Sequence, residues 1–262
     1  MPTDATRGPA TRVHATTADG IAQVVLDSPP LNILTQGLLA ELRAALAPLA
    51  ADTTLRVLVL GARGKHFSAG ADVAEHLPPT YEVMIPEFLA TIEALRAFPA
   101  PVVAAVRGRC LGGGFELVQA ADLVVAGQGA TFGQPEIVLG VIAPAASALL
   151  PESCGPARAA EILYTGDSVT ATQAQAMGLV ARVAPDERVD EEALALAGRI
   201  ARHSAAALRV AKRAARAGSE GRVTDALRTA GRLYVEDLTR TADAHEGLTA
   251  FLEKRPAVWT HR

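Results

Sequence analysis

Two glutamates, Glu116 and Glu136, stand in otherwise apolar stretches of the sequence, where carboxylates could perform acid–base chemistry. Glu116 lies in residues 113–117 (GGFEL) and Glu136 in residues 132–137 (FGQPEI). An unpaired carboxylate in apolar surroundings is costly unless it has a chemical task or a partner. A structural reading stays open for each, because the helix dipole favours glutamate in a first helical turn and Pro135 suits a helix start.

Two loops rich in small residues directly follow apolar strands. The first is residues 66–72 (HFSAGAD) and the second is residues 108–117 (GRCLGGGFEL). Small residues let a ligand approach the backbone, and unpaired N–H groups there could stabilise a developing oxyanion. Glycines that only make tight turns or close helix contacts would give the same pattern, so each loop alone leaves both readings open. Together with the two glutamates, the loops provide the parts for acid–base chemistry beside an enolate.

Other common catalytic motifs do not match this sequence. Gly64 and Lys65 are followed by His66 rather than Ser or Thr, and no glycine stands five residues before Gly64, which argues against a P-loop. The first predicted strand is not followed by the glycine pattern of a dinucleotide site. Ser68 lacks the flanking glycines of a hydrolase nucleophile. His66 and His76 are ten residues apart and there is no Cys/His cluster, so we expect no metal.

Composition and charge exclude several classes of partner. The chain has 262 residues, of which 50% are hydrophobic and 20% charged, so it can bury a large core. A formal net charge of −3 leaves no basic excess for a phosphate backbone, and we expect no nucleic acid partner. No apolar run reaches the roughly 18 residues that suggest a membrane span. Two cysteines and a start (MPTD) without signal-peptide features predict a cytoplasmic protein.

Strand and helix patterns alternate along most of the chain and predict a layered α/β fold. Apolar runs predict strands at residues 21–27, 56–61, 102–106, 122–126 and 179–183. Helical spacing predicts helices at about residues 34–49, 81–98 and 112–120, and residues 170–173 (TATQ) have the form of a helix capping box. Residues 186–252 read as consecutive helices. We therefore expect an α/β core over residues 1–200, a helical oligomerisation region over residues 201–262, and a frayed segment over about the first ten residues.

As a set, residues 67–72 (FSAGAD), 112–117 (GGGFEL) and 132–136 (FGQPE) closely resemble the enoyl-CoA hydratase/isomerase (crotonase) superfamily. The likeness continues in order to residues 163–166 (LYTG) and 251–256 (FLEKRP). It implies an α/β fold, a crotonase-like spiral of ββα units with a C-terminal helical region, assembled as a trimer or as a hexamer made of two trimers. The implied substrate is an acyl-CoA thioester. No separate cofactor is implied, because coenzyme A is part of the substrate.

The resemblance also implies roles for individual residues. It assigns the thioester oxygen to the backbone N–H groups of Ala69 and Gly113. It puts Glu116 and Glu136 at the positions of the two catalytic carboxylates of hydratases, and leaves open which is the acid and which the base. The adenine end of CoA would lie against residues 69–72, and Phe251 and Lys254 would reach the CoA of a neighbouring subunit. The residues expected to contact substrate are Ser68, Gly70, Ala71, Asp72, Gly112, Phe251 and Lys254.

The presence of both glutamates favours hydration of a 2-enoyl-CoA or conjugated dienoyl-CoA, since family isomerases often keep only one of the two. Double-bond isomerisation on the same fold is the alternative. A non-catalytic scaffold that binds CoA or RNA is a third reading. It is opposed by the two glutamates and by an acidic chain with only three lysines.

Two departures from the family pattern concern the substrate pocket. Most hydratases resemble Pro-Gly-x-Gly-Gly-Thr after Gly140, whereas residues 141–147 here read VIAPAAS, and Phe115 replaces the usual cysteine. Residues 28–34 (SPPLNIL) and the stretch APAA within residues 141–147 resemble the branch that hydrates cyclic dienoyl-CoA thioesters. We therefore expect short or cyclic acyl groups to be preferred over long straight chains.

Overall fold

The computed structural model describes residues 11–262, and the prediction for the first ten residues falls outside that range. Within it, a six-stranded sheet and a three-stranded sheet carry the fold. The nine strands are β1 Val13–Ala18, β2 Ile21–Leu26, β3 Val57–Ala62, β4 Val102–Val106, β5 Arg109–Leu111, β6 Leu123–Gly127, β7 Thr131–Gly133, β8 Ser168–Thr170 and β9 Arg182–Ala184.

Ten α-helices surround these sheets in the described part of the chain. They are α1 Gln36–Ala51, α2 Tyr81–Arg96, α3 Gly113–Gln119, α4 Pro144–Cys154, α5 Pro156–Thr165, α6 Ala171–Ala176, α7 Val189–Ile200, α8 Ala205–Arg216, α9 Glu220–Arg232 and α10 Ala242–Leu252. Short 3₁₀ turns occupy Val73–His76, Pro135–Leu139, Asp186–Arg188 and Leu238–Arg240, and a π-helical turn occupies Leu233–Asp237. Between residues 11 and 262, no helix is both long enough and apolar enough to cross a lipid bilayer.

The large sheet has the strand order β1-β2-β3-β4-β6-β9, antiparallel at β1–β2 and parallel elsewhere. Every residue of β3 and β4 is buried, as their unbroken apolar runs predict for strands covered on both faces. Because the carboxyl ends of parallel strands meet at one edge of the sheet, the loops after β3 and β4 lie side by side. An isolated bridge between Ser68 and Cys110 joins them.

The small sheet, in the order β5-β7-β8, is missing from the sequence-based prediction because each of its strands has only three residues. It positions both glutamates. β5 leads through Gly112 into α3, which carries Glu116, and β7 leads into the 3₁₀ turn Pro135–Leu139, which carries Glu136. The Gly112 N–H donates to Gly133 O at 2.9 Å and ties the two segments together.

The C-terminal helices pack into the same hydrophobic core as the sheets. Val223, Leu227, Tyr234 and Leu248 belong to one buried cluster with the strand and helix residues of the first half of the chain. A smaller cluster seals α7 against the other face of the large sheet. The predicted capping box is confirmed, since the Thr170 side chain accepts from the Gln173 N–H and the Gln173 side chain accepts from the Thr170 N–H.

Candidate active site

Glu116 lies in the first turn of α3 and is 2% exposed. Its Oε1 accepts hydrogen bonds from the N–H groups of Ala145 at 2.7 Å and Ala146 at 2.8 Å. These two residues follow Pro144 at the start of α4, where backbone N–H groups have no partner within the helix. The two bonds and the helix dipole favour the ionised carboxylate, while burial raises the pKa of Glu116 above its usual range.

Glu136 follows Pro135 in the 3₁₀ turn and has a different environment. Its Oε2 is buried and has no hydrogen-bond partner among the residues that the structure describes. Burial, and then the negative charge of Glu116, raise the pKa of Glu136 well above its usual value. Two buried carboxyls that repel each other favour sharing one proton. Glu136, which lacks the pair of helix N–H donors that Glu116 has, is the better holder of that proton.

The loop after β3 is held by a residue that the sequence analysis did not single out as functional. Asn32 is fully buried, and its side-chain amide donates to the carbonyl oxygens of Arg63 and His66, each at 2.9 Å. Its own carbonyl accepts from the Ser68 hydroxyl at 2.8 Å. The only sequence signal for Asn32 is its place in the stretch SPPLNIL, because the loop residues that it holds lie more than 30 residues away.

The structure corrects one predicted backbone donor. The Ala69 N–H donates to Leu31 O at 2.9 Å and is therefore not available to a substrate. Within residues 11–262, the N–H groups of Ala71 and Gly113 make no hydrogen bond. A Cβ placed on Gly113 would lie 3.4 Å from Ala71 N, so these two free donors are neighbours. Ala71 rather than Ala69 thus pairs with Gly113, because the loop backbone uses the earlier N–H for its own anchoring.

A cavity of about 340 Å³ opens beside these groups. Its wall includes Ala69, Gly70, Ala71, Gly112 and Glu136, and its remaining lining is mostly apolar. Glu116 is buried outside this lining, close enough to Glu136 for its charge to raise the pKa of Glu136. Arg109 and Leu111 come from the predicted loop at residues 108–117, and Val141 from the stretch expected at the substrate pocket. The lining residues that the sequence did not indicate are Val73, His76, Pro135, Val138, Leu139 and Leu248.

Besides Glu116, four residues expected at the substrate lie outside the cavity lining: Ser68, Asp72, Gly113 and Lys254. Ser68 is fully buried, and its hydroxyl donates to Asn32 O and accepts from the Gly70 N–H, so it shapes the loop from beneath. The Asp72 side chain accepts from the Ala74 N–H and caps the 3₁₀ turn Val73–His76. Lys254 is exposed at the end of α10. Its contact with a neighbouring subunit stays a prediction.

Phe251 differs from its expected position. It is 53% exposed and lines the cavity of its own chain, on the final turn of α10. Since α10 packs against both 3₁₀ turns of the site, the C-terminal helix closes one side of this cavity without a second subunit.

The comparisons with known proteins agree with this geometry. A family model described as enoyl-CoA hydratase/isomerase matches residues 16–262. The chain belongs to the enoyl-CoA hydratase/isomerase family. A cyclohexa-1,5-dienecarbonyl-CoA hydratase of Thauera aromatica is 43% identical over 240 residues, covering 90% of this chain and 92% of the relative. A 2,3-dehydroadipyl-CoA hydratase of Escherichia coli K12 is 41% identical over 229 residues, covering 86% and 88%.

Solved structures give the same result for this enoyl-CoA hydratase/isomerase family member. An enoyl-CoA hydratase from Mycobacterium avium subsp. paratuberculosis K-10 superimposes with a TM-score of 0.86 at 29% identity, covering 96% of this chain and 100% of that one. An enoyl-CoA hydratase/isomerase from Pseudoalteromonas atlantica T6c gives a TM-score of 0.87 at 28% identity, with 95% and 100% covered. The predicted family and the predicted crotonase-like α/β fold are thereby confirmed.

Proposed function

We propose that this chain is a hydratase that adds water across the C=C bond of a 2-enoyl-CoA or conjugated dienoyl-CoA thioester. The observation that carries the proposal is the unequal carboxylate pair. Glu116 accepts two backbone N–H bonds that favour its ionised form, while Glu136 has a buried oxygen without a partner. Such a pair supplies one base and one acid within the same site at neutral pH.

The different environments of the two glutamates support one assignment of the acid and base roles. Glu116 takes a proton from water as the water oxygen forms a bond to C3 of the enoyl group. The electron pair of the C=C bond moves toward the thioester, and Glu136 delivers its proton to C2. Glu116 then carries the proton and Glu136 the charge, so proton exchange between the two carboxyls restores the starting state. The hydration thus balances without an additional cofactor.

Negative charge builds on the thioester oxygen during this addition and requires fixed donors. The adjacent free N–H groups of Ala71 and Gly113 are suited to this task. They need no reorganisation when the charge develops, which is the basis of oxyanion stabilisation. We place the thioester between them, with the adenine end of CoA toward residues 69–72 and Phe251 at the side of the cavity.

Double-bond isomerisation is the competing reaction on this fold. It moves a proton between carbons and needs only one carboxylate, whereas this site holds two with opposite preferences for the proton. Incorporation of ¹⁸O from labelled water into the acyl product distinguishes the reactions, because isomerisation adds no oxygen. We expect incorporation with crotonyl-CoA, and losses of about 10²-fold or more in turnover for both Glu116→Gln and Glu136→Gln. Near wild-type turnover in either variant would exclude the two-carboxylate mechanism.

The acyl group is proposed to be short or cyclic and conjugated. The similarity to the Thauera aromatica relative, named a cyclohexa-1,5-dienecarbonyl-CoA hydratase, supports this. So does the apolar wall, where Val141 stands in the stretch that departs from the common glycine-rich pattern.

Assembly as a trimer or hexamer is proposed from apolar surface left on the described chain. Leu233, Phe251, Leu252, Val258 and Trp259 are each at least 40% exposed, all in the C-terminal region. Burial of such residues between copies is a common driving force for oligomers. Multi-angle light scattering at micromolar concentration is expected to give three or six chains, and a monomer would refute the proposal.

A further inference from the structure

Tyr234 is a buried phenol that the proposed hydration does not use. It is 1% exposed, and its hydroxyl has no hydrogen-bond partner within residues 11–262. It stands on the π-helical turn Leu233–Asp237 that follows α9, and such turns often occur at functional sites. A buried hydroxyl without a partner is unfavourable, so this phenol favours a bound molecule that can accept its hydrogen bond.

A small recess beside Tyr234 adjoins the active-site cavity. The recess is lined by Tyr234 and shares His76, Val141 and Leu248 with the main cavity. Its volume is about 10 Å³, room for about one oxygen atom or one water molecule. The rings of His76 and Tyr234 lie 6.1 Å apart between centroids and are tilted by 54°. The recess therefore brings the Tyr234 side chain to the edge of the main cavity.

The ionisable groups around the recess determine whether a neutral or a charged group of a substrate can bind there. Burial, and then the charges of Glu136 and Glu116, raise the pKa of Tyr234 far above its usual value, so the phenol stays protonated and can donate. Burial lowers the pKa of His76, whose Nδ1 lies 2.8 Å from Asp72 O, so the ring is neutral at pH 7. Neither Lys nor Arg lines the recess, whose lining also includes His245, and two carboxyls lie nearby, so a substrate carboxylate is disfavoured there.

We infer that Tyr234 is a specificity-determining residue that donates a hydrogen bond to a neutral oxygen, a carbonyl or a hydroxyl, on the acyl group beyond the reacting double bond. The inference rests on the proposed acyl-CoA hydration and names its substrate class. The phenol does not touch the reacting carbons in this assignment. Its contribution is the same in the ground state and in the transition state, so it acts on KM rather than on kcat.

The test compares Tyr234→Phe with wild type on three thioesters of equal chain length: hex-2-enoyl-CoA, 5-oxohex-2-enoyl-CoA and the terminal carboxylate hex-2-enedioyl-CoA. We expect wild type to prefer the oxo compound over the other two. In the variant, KM for the oxo compound should rise about tenfold, while kcat and the values for hex-2-enoyl-CoA stay unchanged. Tyr164→Phe, at a residue that is 76% exposed, is the matched control and should change neither substrate.

Several results would overturn the inference. Equal kcat losses on all substrates would make Tyr234 a part of the reaction core, and identical kinetics in variant and wild type would mean that a resident water satisfies the phenol. A preference of wild type for the carboxylate compound would contradict the charge argument. Thermal unfolding of Tyr234→Phe should match or exceed wild type, because no protein partner is lost. Hydration of hex-2-enoyl-CoA by wild type tests the proposed function separately from this selectivity.

Discussion

Gly112 and Glu136 approach so closely that a Cβ on Gly112 would lie 2.6 Å from Glu136 Oε1. Gly112 also has a φ of +51°, a backbone conformation that L-residues with a side chain rarely adopt. The absence of a side chain at Gly112 therefore makes room for the Glu136 carboxyl and also permits the turn before α3. The loop after β5 and the 3₁₀ turn Pro135–Leu139 are in close contact at this point.

Replacing Gly112 with alanine should displace the Glu136 carboxyl and strain the turn. We expect Gly112→Ala to lower kcat for crotonyl-CoA by about 10²-fold and to reduce the free energy of unfolding by about 1–3 kcal/mol. Steady-state kinetics and urea denaturation measure the two effects. Gly64→Ala is the control, because Gly64 has a φ of +86° but nothing within 4 Å of the added Cβ. It should lose stability but keep kcat, and equal kcat losses in both would contradict the steric argument.

The assignment of Ala71 as an oxyanion donor can be tested one atom at a time. Replacing the amide N–H of Ala71 with an ester oxygen, by incorporating the α-hydroxy acid, removes that donor and also weakens Gly70 O, which accepts from the Leu34 N–H, as an acceptor. We expect kcat to fall about 10²–10³-fold, as for loss of one oxyanion donor in other enzymes. The same replacement at Ala69 removes its bond to Leu31 O and should cost about 1 kcal/mol of stability with a smaller effect on kcat. The opposite ranking of the two sites would restore Ala69 as the donor.

The carboxylate pair should make stability depend on pH. The pKa values of Glu116 and Glu136 are raised in the folded chain above the ordinary value of 4.5, so the folded state binds more protons than the unfolded state above about pH 4.5. The free energy of unfolding therefore falls as pH rises from about 4.5 through the folded-state pKa values. Each unit of pKa shift corresponds to about 1.4 kcal/mol.

Removing one carboxyl of the pair should weaken this dependence. We expect the free energy of unfolding of Glu136→Gln to decrease less than that of wild type between about pH 5 and pH 8, as followed by urea denaturation. The exposed Glu161→Gln is the matched control and should keep the wild-type slope. If the free energy of unfolding of Glu136→Gln decreased with pH as steeply as that of wild type, the two carboxyls would not be destabilised by burial and mutual repulsion.

Val141 should limit the length of the acyl group. It is 2% exposed and lines both the cavity and the recess. We expect wild type to prefer crotonyl-CoA and cyclohexadiene-carbonyl-CoA over hexadecenoyl-CoA, and Val141→Ala to raise the relative kcat/KM on the long chain about tenfold. Val210→Ala, at a 54% exposed position on α8, is the control. A wild-type preference for hexadecenoyl-CoA would discard the short or cyclic acyl group but leave the hydratase mechanism intact.

Local patterns in the sequence predicted the central strands β3 and β4 and the helices α1 and α2, and they drew attention to the two glutamates, but they did not predict α4 or α5. Unbroken apolar runs predicted β3 and β4, and residues 102–106 matched β4 at both ends, because burial on both faces leaves a signal in consecutive residues. The last predicted strand, at residues 179–183, lies instead at Arg182–Ala184, and β1 was not predicted. Both are short or polar segments whose pairing partners, not their own residues, make them strands.

Tertiary structure decides which backbone N–H groups and which carboxyl take each role at the site. The choice of Ala71 over Ala69 depends on an acceptor at Leu31, and the preference of Glu116 for the ionised form depends on N–H groups of Ala145 and Ala146. Tyr234 stands about 100 residues after Glu136 and reaches the recess beside the cavity only because the C-terminal helices fold onto the same core. Composition and periodicity report which elements form. Contacts between residues far apart in the chain decide which backbone N–H stays free and which carboxyl is removed from water. Composition and periodicity carry no information about those contacts.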